Sequence, residues 1–181
     1  MELPKKFRYN GERIYFRTLS FTDVSIEYQS WLTDPEINFF LETRGATIKE
    51  LKKYIKKYND DPDYLLFGVF DKENNIHIGN VNLAPIEWEK KTAGFGILLG
   101  KKSYWGKGIG TEMTKLTIDY AFNKLGLVQV TLGTMFKNKR PQRTFEKAGF
   151  IATGAGKRKI KKTGEYYDEV QMIVKNNETS R

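Results

Sequence analysis

The sequence predicts an α+β fold in which helices flank a central sheet, and three observations carry that prediction. Strand-like runs are interspersed with segments whose apolar residues recur at helical spacing. Three of the strand-like runs, 64–71, 76–84 and 92–100, follow one another with no helix between them, and the first two are joined by the polar turn DKENN. The last of the three, TAGFGILLG, runs into the glycine-rich segment SYWGKGIGTEM (Ser103 to Met113), beyond which the hydrophobic period becomes helical.

In chain order, ERIYFRTL supplies a strand over Arg13 to Leu19. A helix is expected from Asp23 to Leu32, with Ser20 and Thr22 as N-cap candidates, because a hydroxyl there accepts from the unpaired first N–H groups. Pro35 suits the first turn of a short helix, Pro35 to Leu41, where the N–H it lacks would have no helical partner. In TIKELKKYIKKY the residues Ile48, Leu51, Tyr54 and Ile55 share one face, so Ile48 to Asn59 reads as an amphipathic helix with a solvated lysine side. Strands follow at Tyr64 to Asp71, Ile76 to Ala84 and Thr92 to Gly100. Met113, Leu116, Ile118, Tyr120, Ala121 and Phe122 mark a helix over Gly110 to Gly126. Then come a strand at Gln129 to Phe136, a helix at Arg140 to Ala148, a strand from Phe150 and a last strand at Asp168 to Lys175. Residues 176–181 read as a frayed tail. Without repeats or Pro/Gly linkers, residues 1–181 are expected to form one domain, long enough to bury a core.

Composition narrows the chemistry. No apolar run reaches the 18 or more residues of a membrane span, and MELPKKFRYNGER has no secretory apolar core, so a cytoplasmic protein without a membrane partner is expected. The absence of cysteine excludes disulfides, thiolate metal sites and a cysteine nucleophile. His77 is the only histidine, so a histidine metal cluster and a Ser/His/Asp triad both lack parts, and no metal is expected. His77 itself, in NNIHIGN, is expected at the surface.

The formal net charge of +9, with KELKKYIKKY (49–58) and KRKIKK (157–162), has the footprint of a nucleic-acid-binding module. The first run, however, is the solvated face of the amphipathic helix, and the second precedes a Gly turn and is expected to tip a hairpin. The first placement argues against nucleic acid as the partner, while the second run could equally meet an acidic substrate.

The glycine segment carries the functional signal. Gly106, Gly108 and Gly110 lie where a strand hands over to a helix, whose first N–H groups have no intrahelical partner and carry the positive end of the dipole. This geometry suits an anion, and glycines let the main chain approach it closely. The dinucleotide pattern G-x-G-x-x-G fails by one residue, and Walker A is absent.

The remaining G-x-G-x-G after a strand resembles the acyl-CoA pyrophosphate loop of the GNAT superfamily of N-acetyltransferases. NKRPQRTFEKAGF (Asn138 to Phe150) resembles that family's second signature at Asn138, Phe145, Glu146, Lys147, Gly149 and Phe150. YWGKGIGTEM resembles the branch that acetylates ribosomal-protein N-termini and small amines. The resemblance implies a mixed, mostly antiparallel sheet, splayed between two parallel strands at the acyl-CoA site, and a monomer or homodimer.

It also implies acetyl-CoA as cosubstrate, direct transfer to an amine, and a set of donor-binding residues. Backbone groups around Leu98 and Leu99 would hold the pantetheine arm. Amides of Gly106, Lys107, Gly108, Ile109, Gly110 and Thr111 would hold the pyrophosphate, with Trp105 beside them and Asn138 hydrogen-bonded to the donor. Coenzyme A's phosphates give part of the basic surface a small-molecule use. Two departures stand out: Phe145 replaces a tyrosine whose hydroxyl can protonate the leaving thiolate, and Pro141 replaces Ser or Ala.

For the general base the sequence offers Glu87 and Glu89, ahead of the thioester-bearing strand, and Glu42. Glu112 is read as a first-turn acid favourable to the helix dipole. The segment WLTDPEINFFLETR, with Trp31, Phe39, Phe40 and Arg44, resembles members acting on nucleotide-linked amino sugars: the aromatics would stack a ring and the basic group hold a diphosphate. A protein N-terminus, a polyamine and an aminoglycoside are the alternative acceptors, the last two mildly disfavoured by the positive charge.

Overall fold

The computed structural model of the chain describes residues 7–38, 45–159 and 164–177. Its strands are β1 (Tyr9–Asn10), β2 (Ile14–Thr18), β3 (Leu65–Asp71), β4 (His77–Glu87), β5 (Thr92–Leu99), β6 (Gln129–Met135), β7 (Ile151–Lys159) and β8 (Tyr166–Lys175). The helices are α1 (Ile26–Thr33), α2 (Pro35–Asn38), α3 (Ile48–Asp60), α4 (Ile109–Asn123) and α5 (Lys139–Lys147). The strands build one sheet in the order β1-β2-β3-β4-β5-β6-β8-β7.

Every pairing is antiparallel except β5 with β6. A parallel pair needs a crossover connection, and α4 supplies it. The pair is short: only Thr92–Gln129, Ala93–Val130 and Gly94–Thr131 are in register. Beyond them Phe95 to Leu99 and Leu132 to Met135 diverge, so the sheet is mixed, mostly antiparallel and splayed at its centre, as expected.

Apolar alternation divides the buried residues into two clusters. Phe16, Phe67, Val81, Val130 and Met172 pack with Met113, Tyr120 and Ala121 of α4. Tyr15, Leu66 and Phe70 pack with Tyr28, Trp31 and Leu32 of α1 and Leu51 and Ile55 of α3. The lysine-rich helix behaves as its period predicts: Leu51 and Ile55 are buried, while Lys49, Lys52, Lys53, Lys56 and Lys57 are exposed. It starts at a capping box in which Thr47 Oγ1 accepts from Glu50 N at 3.3 Å and Glu50 accepts from Thr47 N at 2.7 Å.

Several expectations are corrected. Helix α1 begins at Ile26 rather than Asp23 and is capped by neither Ser20 nor Thr22. The Asp23 carboxylate accepts from Ser20 N at 2.7 Å and pairs with Arg17 at 2.5 Å, which folds Phe21–Asp23 into a 3-10 turn. Ser25 then takes the cap, its Oγ accepting from Tyr28 N at 3.0 Å. The two-residue β1 was not anticipated, and β4 continues past Ala84 through an irregularity to Glu87. Strand β8 starts at Tyr166, two residues before the sequence expectation, because Tyr166 pairs with Lys159. Lys157, Arg158 and Lys159 therefore belong to β7 itself, and the rest of KRKIKK lies outside the described residues. The part of the short second helix beyond Asn38 also lies outside them.

His77 is half-buried, not a surface residue: it packs against the rings of Phe70, Trp31 and Tyr28 at 4.9, 5.0 and 5.3 Å. Its Nε2–H donates to Gly79 O and Asn80 Oδ1, both at 2.9 Å. Burial pushes its pKa below the usual imidazole value. Among the described residues no helix is long and apolar enough to cross a membrane.

Candidate active site

The divergence of β5 and β6 opens into a continuous cleft of about 1820 Å³. The glycine loop and α5 line one end, and α1, α2 and α3 line the other. Leu98, Leu99, Trp105, Gly106, Gly108, Gly110, Thr111, Asn138 and Phe145 all lie on its wall. Ile109 is buried in the main core and Lys107 is exposed; neither lines the cleft.

At the loop, Gly106 and Gly108 have φ of +77° and +78°. A residue with a Cβ is strained in that region by roughly 1–2 kcal/mol. Gly108 is the N-cap of α4, and Glu112 N is the first amide to return to it, at 3.1 Å. The amides of Ile109, Gly110 and Thr111 are thus left without a helical acceptor at the cleft end of the dipole.

The loop is anchored from behind. Arg13 donates to Lys107 O at 2.9 Å and to Glu112 Oε2 at 2.8 Å, while Glu112 Oε1 accepts from Arg13 N at 2.7 Å. Glu112 therefore ties the helix start to β2. Trp105 Nε1–H donates to Leu99 O at 2.9 Å, so that carbonyl already has a partner.

A cationic wall that sequence reading missed faces the same end. The Arg140 guanidinium lies 5.4 Å from the Trp105 ring centroid, and its Nη2 would be 3.8 Å from a Cβ at Gly106. Arg143 and Lys147 line the cleft with it. Their spacing, i, i+3 and i+7, is one helical face, and that was the available signal. Asn138 stands at the N-cap position of α5, but its side chain does not cap the helix. Phe145 is 5 % exposed and packs edge-on to Phe95 and Phe150 at 6.1 and 5.9 Å, with no hydroxyl to offer.

The opposite end has different chemistry. Tyr28, Tyr54, Tyr58, Asn80 and Asn82 line it, with Glu36 and Glu50. The Tyr54 and Tyr58 rings are 4.6 Å apart, and Asn82 Nδ2 donates to Tyr54 OH at 3.4 Å. Burial pushes the phenols of Tyr28 and Tyr54 up, so both stay protonated at neutral pH. On the floor stand Glu169, Gln171, Tyr167 and Arg158. Sequence reading missed these too, because β6–β8 and β7–β8 pairing brings them together.

The acceptor and base candidates fare differently. Trp31 is 4 % exposed, packed where a Cβ on Gly100 would overlap its ring, and does not line the cleft. Phe39, Phe40, Glu42 and Arg44 lie outside the described residues. Glu87 and Glu89 are exposed at the β4–β5 turn, away from the cleft, and Glu87 pairs with Lys90 at 2.6 Å.

The model of the acetyltransferase (GNAT) domain matches residues 13–151. A probable N-acetyltransferase of Bacillus subtilis, YjcK, is 32 % identical over 177 residues, covering 92 % of this chain and 96 % of that protein. Spermidine N(1)-acetyltransferase of Escherichia coli is 29 % identical over 136 residues, covering 75 % of this chain and 71 % of that protein. In structure, spermidine N-acetyltransferase from Vibrio cholerae, solved with CoA and spermine, superposes with a TM-score of 0.80 at 22 % identity, covering 90 % of this chain and 95 % of that one. The two sequence signatures, the central splay and these matches converge: the chain belongs to the GNAT family and is an acetyl-CoA-dependent N-acetyltransferase.

Proposed function

We propose that the acceptor is a small, positively charged primary amine, which enters the cleft from the end lined by α1, α2 and α3. Acetyl-CoA would occupy the other end. There the amides of Gly110 and Thr111, which have no helical acceptor, suit its pyrophosphate, with Arg140, Arg143 and Lys147 alongside. Asn138 and the backbone around Leu98 would align the pantetheine arm along β5.

The observation that carries the acceptor assignment is the charge division along the cleft. Its lysines and arginines lie on α5 and β7, whereas the wall from α1, α2, α3 and β4, among the described residues, has three tyrosines, two asparagines, Glu36 paired with Lys102 and Glu50 in the capping box of α3. A net charge of +9 repels cations at long range, but charges beyond a Debye length of about 8 Å are largely screened at physiological ionic strength, so the groups that line the cleft set the local field. The spermidine acetyltransferases among the relatives and structural neighbours support this reading. A nucleotide-linked amino sugar would need a cation for its diphosphate, and among the described residues that α1, α2 and α3 place on the cleft none is a lysine or arginine.

Release of free thiol from acetyl-CoA tests the proposal against spermidine, a short diamine, an amino-sugar nucleotide and an N-terminal peptide. Turnover is expected with spermidine or the diamine. Turnover with the amino-sugar nucleotide alone would contradict it.

A further inference from the structure

Among the described residues three carboxylates line the cleft, and two are already committed elsewhere. Glu36 pairs with Lys102 at 2.5 Å and its side chain is 69 % exposed. Glu50 belongs to the capping box of α3. Glu169 differs: its side chain is 10 % exposed, on the floor of the cleft.

The sheet places this carboxylate at the fork. Glu169 pairs in register with Met135 of β6, and its carboxyl group lies over Gly133, where a Cβ would overlap it. Gly133 is two residues beyond Thr131, the last β6 residue paired with β5. Gly96 stands two residues beyond Gly94 on the opposite lip, and it too lines the cleft. The glycine at 133 thus leaves room for a buried carboxylate where the two parallel strands separate.

Arg158 holds one side of this group: its Nη1 donates to Glu169 Oε1 at 2.9 Å. Among the described residues Glu169 Oε2 makes no hydrogen bond, although a buried carboxylate oxygen ordinarily has a donor. An ammonium entering the cleft would supply one.

We propose that Glu169 receives the acceptor's ammonium and acts as the general base of acetyl transfer, with Arg158 as its positioning residue; this rests on the amine-acceptor reading above. The carboxylate takes one proton from R–NH3+, freeing the nitrogen lone pair. That pair attacks the thioester carbonyl and forms the C–N bond. Collapse of the tetrahedral adduct breaks the C–S bond, and the second nitrogen proton passes to the departing thiolate. The products are the acetamide and CoA–SH, and Glu169 returns its proton to solvent, so one H+ is released per turnover. Among the described residues, Arg158 and Tyr167 are the other charged or titratable groups that β7 and β8 place on the cleft.

The test is Glu169→Gln, assayed with acetyl-CoA and whichever panel amine the unmodified protein turns over fastest. General-base catalysis typically contributes 10²–10⁴-fold, so kcat/KM for the amine should fall by about that factor at pH 7, with acetyl-CoA affinity unchanged. The deficit should then shrink by about tenfold per pH unit up to the amine's own pKa, because free amine no longer needs a base. Glu169→Asp should recover part of the rate. A deficit that stays constant with pH would show a packing role, and an undiminished rate would remove Glu169 from the reaction; either overturns the proposal. If the unmodified protein acetylates no amine, the acceptor reading fails, and this proposal with it.

Discussion

His77 illustrates how a single side chain is defined by its neighbours rather than by its local sequence. Set in NNIHIGN beside a polar turn, it reads as a surface residue, yet strand pairing turns it into the aromatic cluster of Phe70, Trp31 and Tyr28. Burial keeps the ring neutral, with a folded pKa below the unfolded value of about 6.5. Below that value the unfolded chain binds a proton that the folded chain does not, so stability falls as pH drops, by at most about 1.4 kcal/mol per pH unit. Chemical-denaturation midpoints at pH 7, 6 and 5 should show this component in the unmodified protein and lose it in His77→Gln. A carboxylate would act in a lower window. Burial opposes ionisation of Asp23, but hydrogen bonds from Arg17 and Ser20 outweigh it, so its contribution is lost only below about pH 3.9. Identical slopes in both proteins would mean that His77 does not titrate as described.

At the scale of the element, the strand–loop–α4 unit was legible because its signals are local: a glycine spacing, a change of hydrophobic period and a first-turn acid all fall within Thr92 to Met113. The α5 signature was equally legible, since Asn138, Phe145 and Gly149 lie within one short segment. Glu169 was not, because its neighbour Gly133 is far away in sequence and meets it only through β6–β8 pairing. Tyr54 was read as part of a helix's apolar face; that it also lines the cleft depends on where α3 sits over β4, which periodicity does not encode. The loop itself yields a prediction. Gly108→Val places a branched side chain at φ +78°, close to the Arg13 guanidinium and across the approach of a bound pyrophosphate. Acetyl-CoA affinity, measured by calorimetry, should fall at least tenfold, about 1.4 kcal/mol, in a protein that still melts cooperatively. Unchanged affinity in such a variant would make the loop a turn without a ligand.

For the whole molecule, the fold and its chemistry meet at one topological fact: among the described residues β5 and β6 are the only parallel neighbours, and after three paired positions they part. Cations of α5 and β7 and tyrosines of α1 and α3 line that one opening. The +9 net charge, which at the level of composition suggests a polyanion partner, is spread over the exposed faces of α3 and α5 and the β7 edge. Thermal melting with two ligands tests the central claim most directly. A ligand that binds only the folded state at 100 times its Kd stabilises it by about 2.7 kcal/mol, which for a chain of this size raises Tm by roughly 5–10 °C. Acetyl-CoA should produce a saturable rise of that order, reduced in Gly108→Val, while a short DNA duplex at physiological salt should leave Tm unchanged. A rise with the duplex and none with acetyl-CoA would contradict the account.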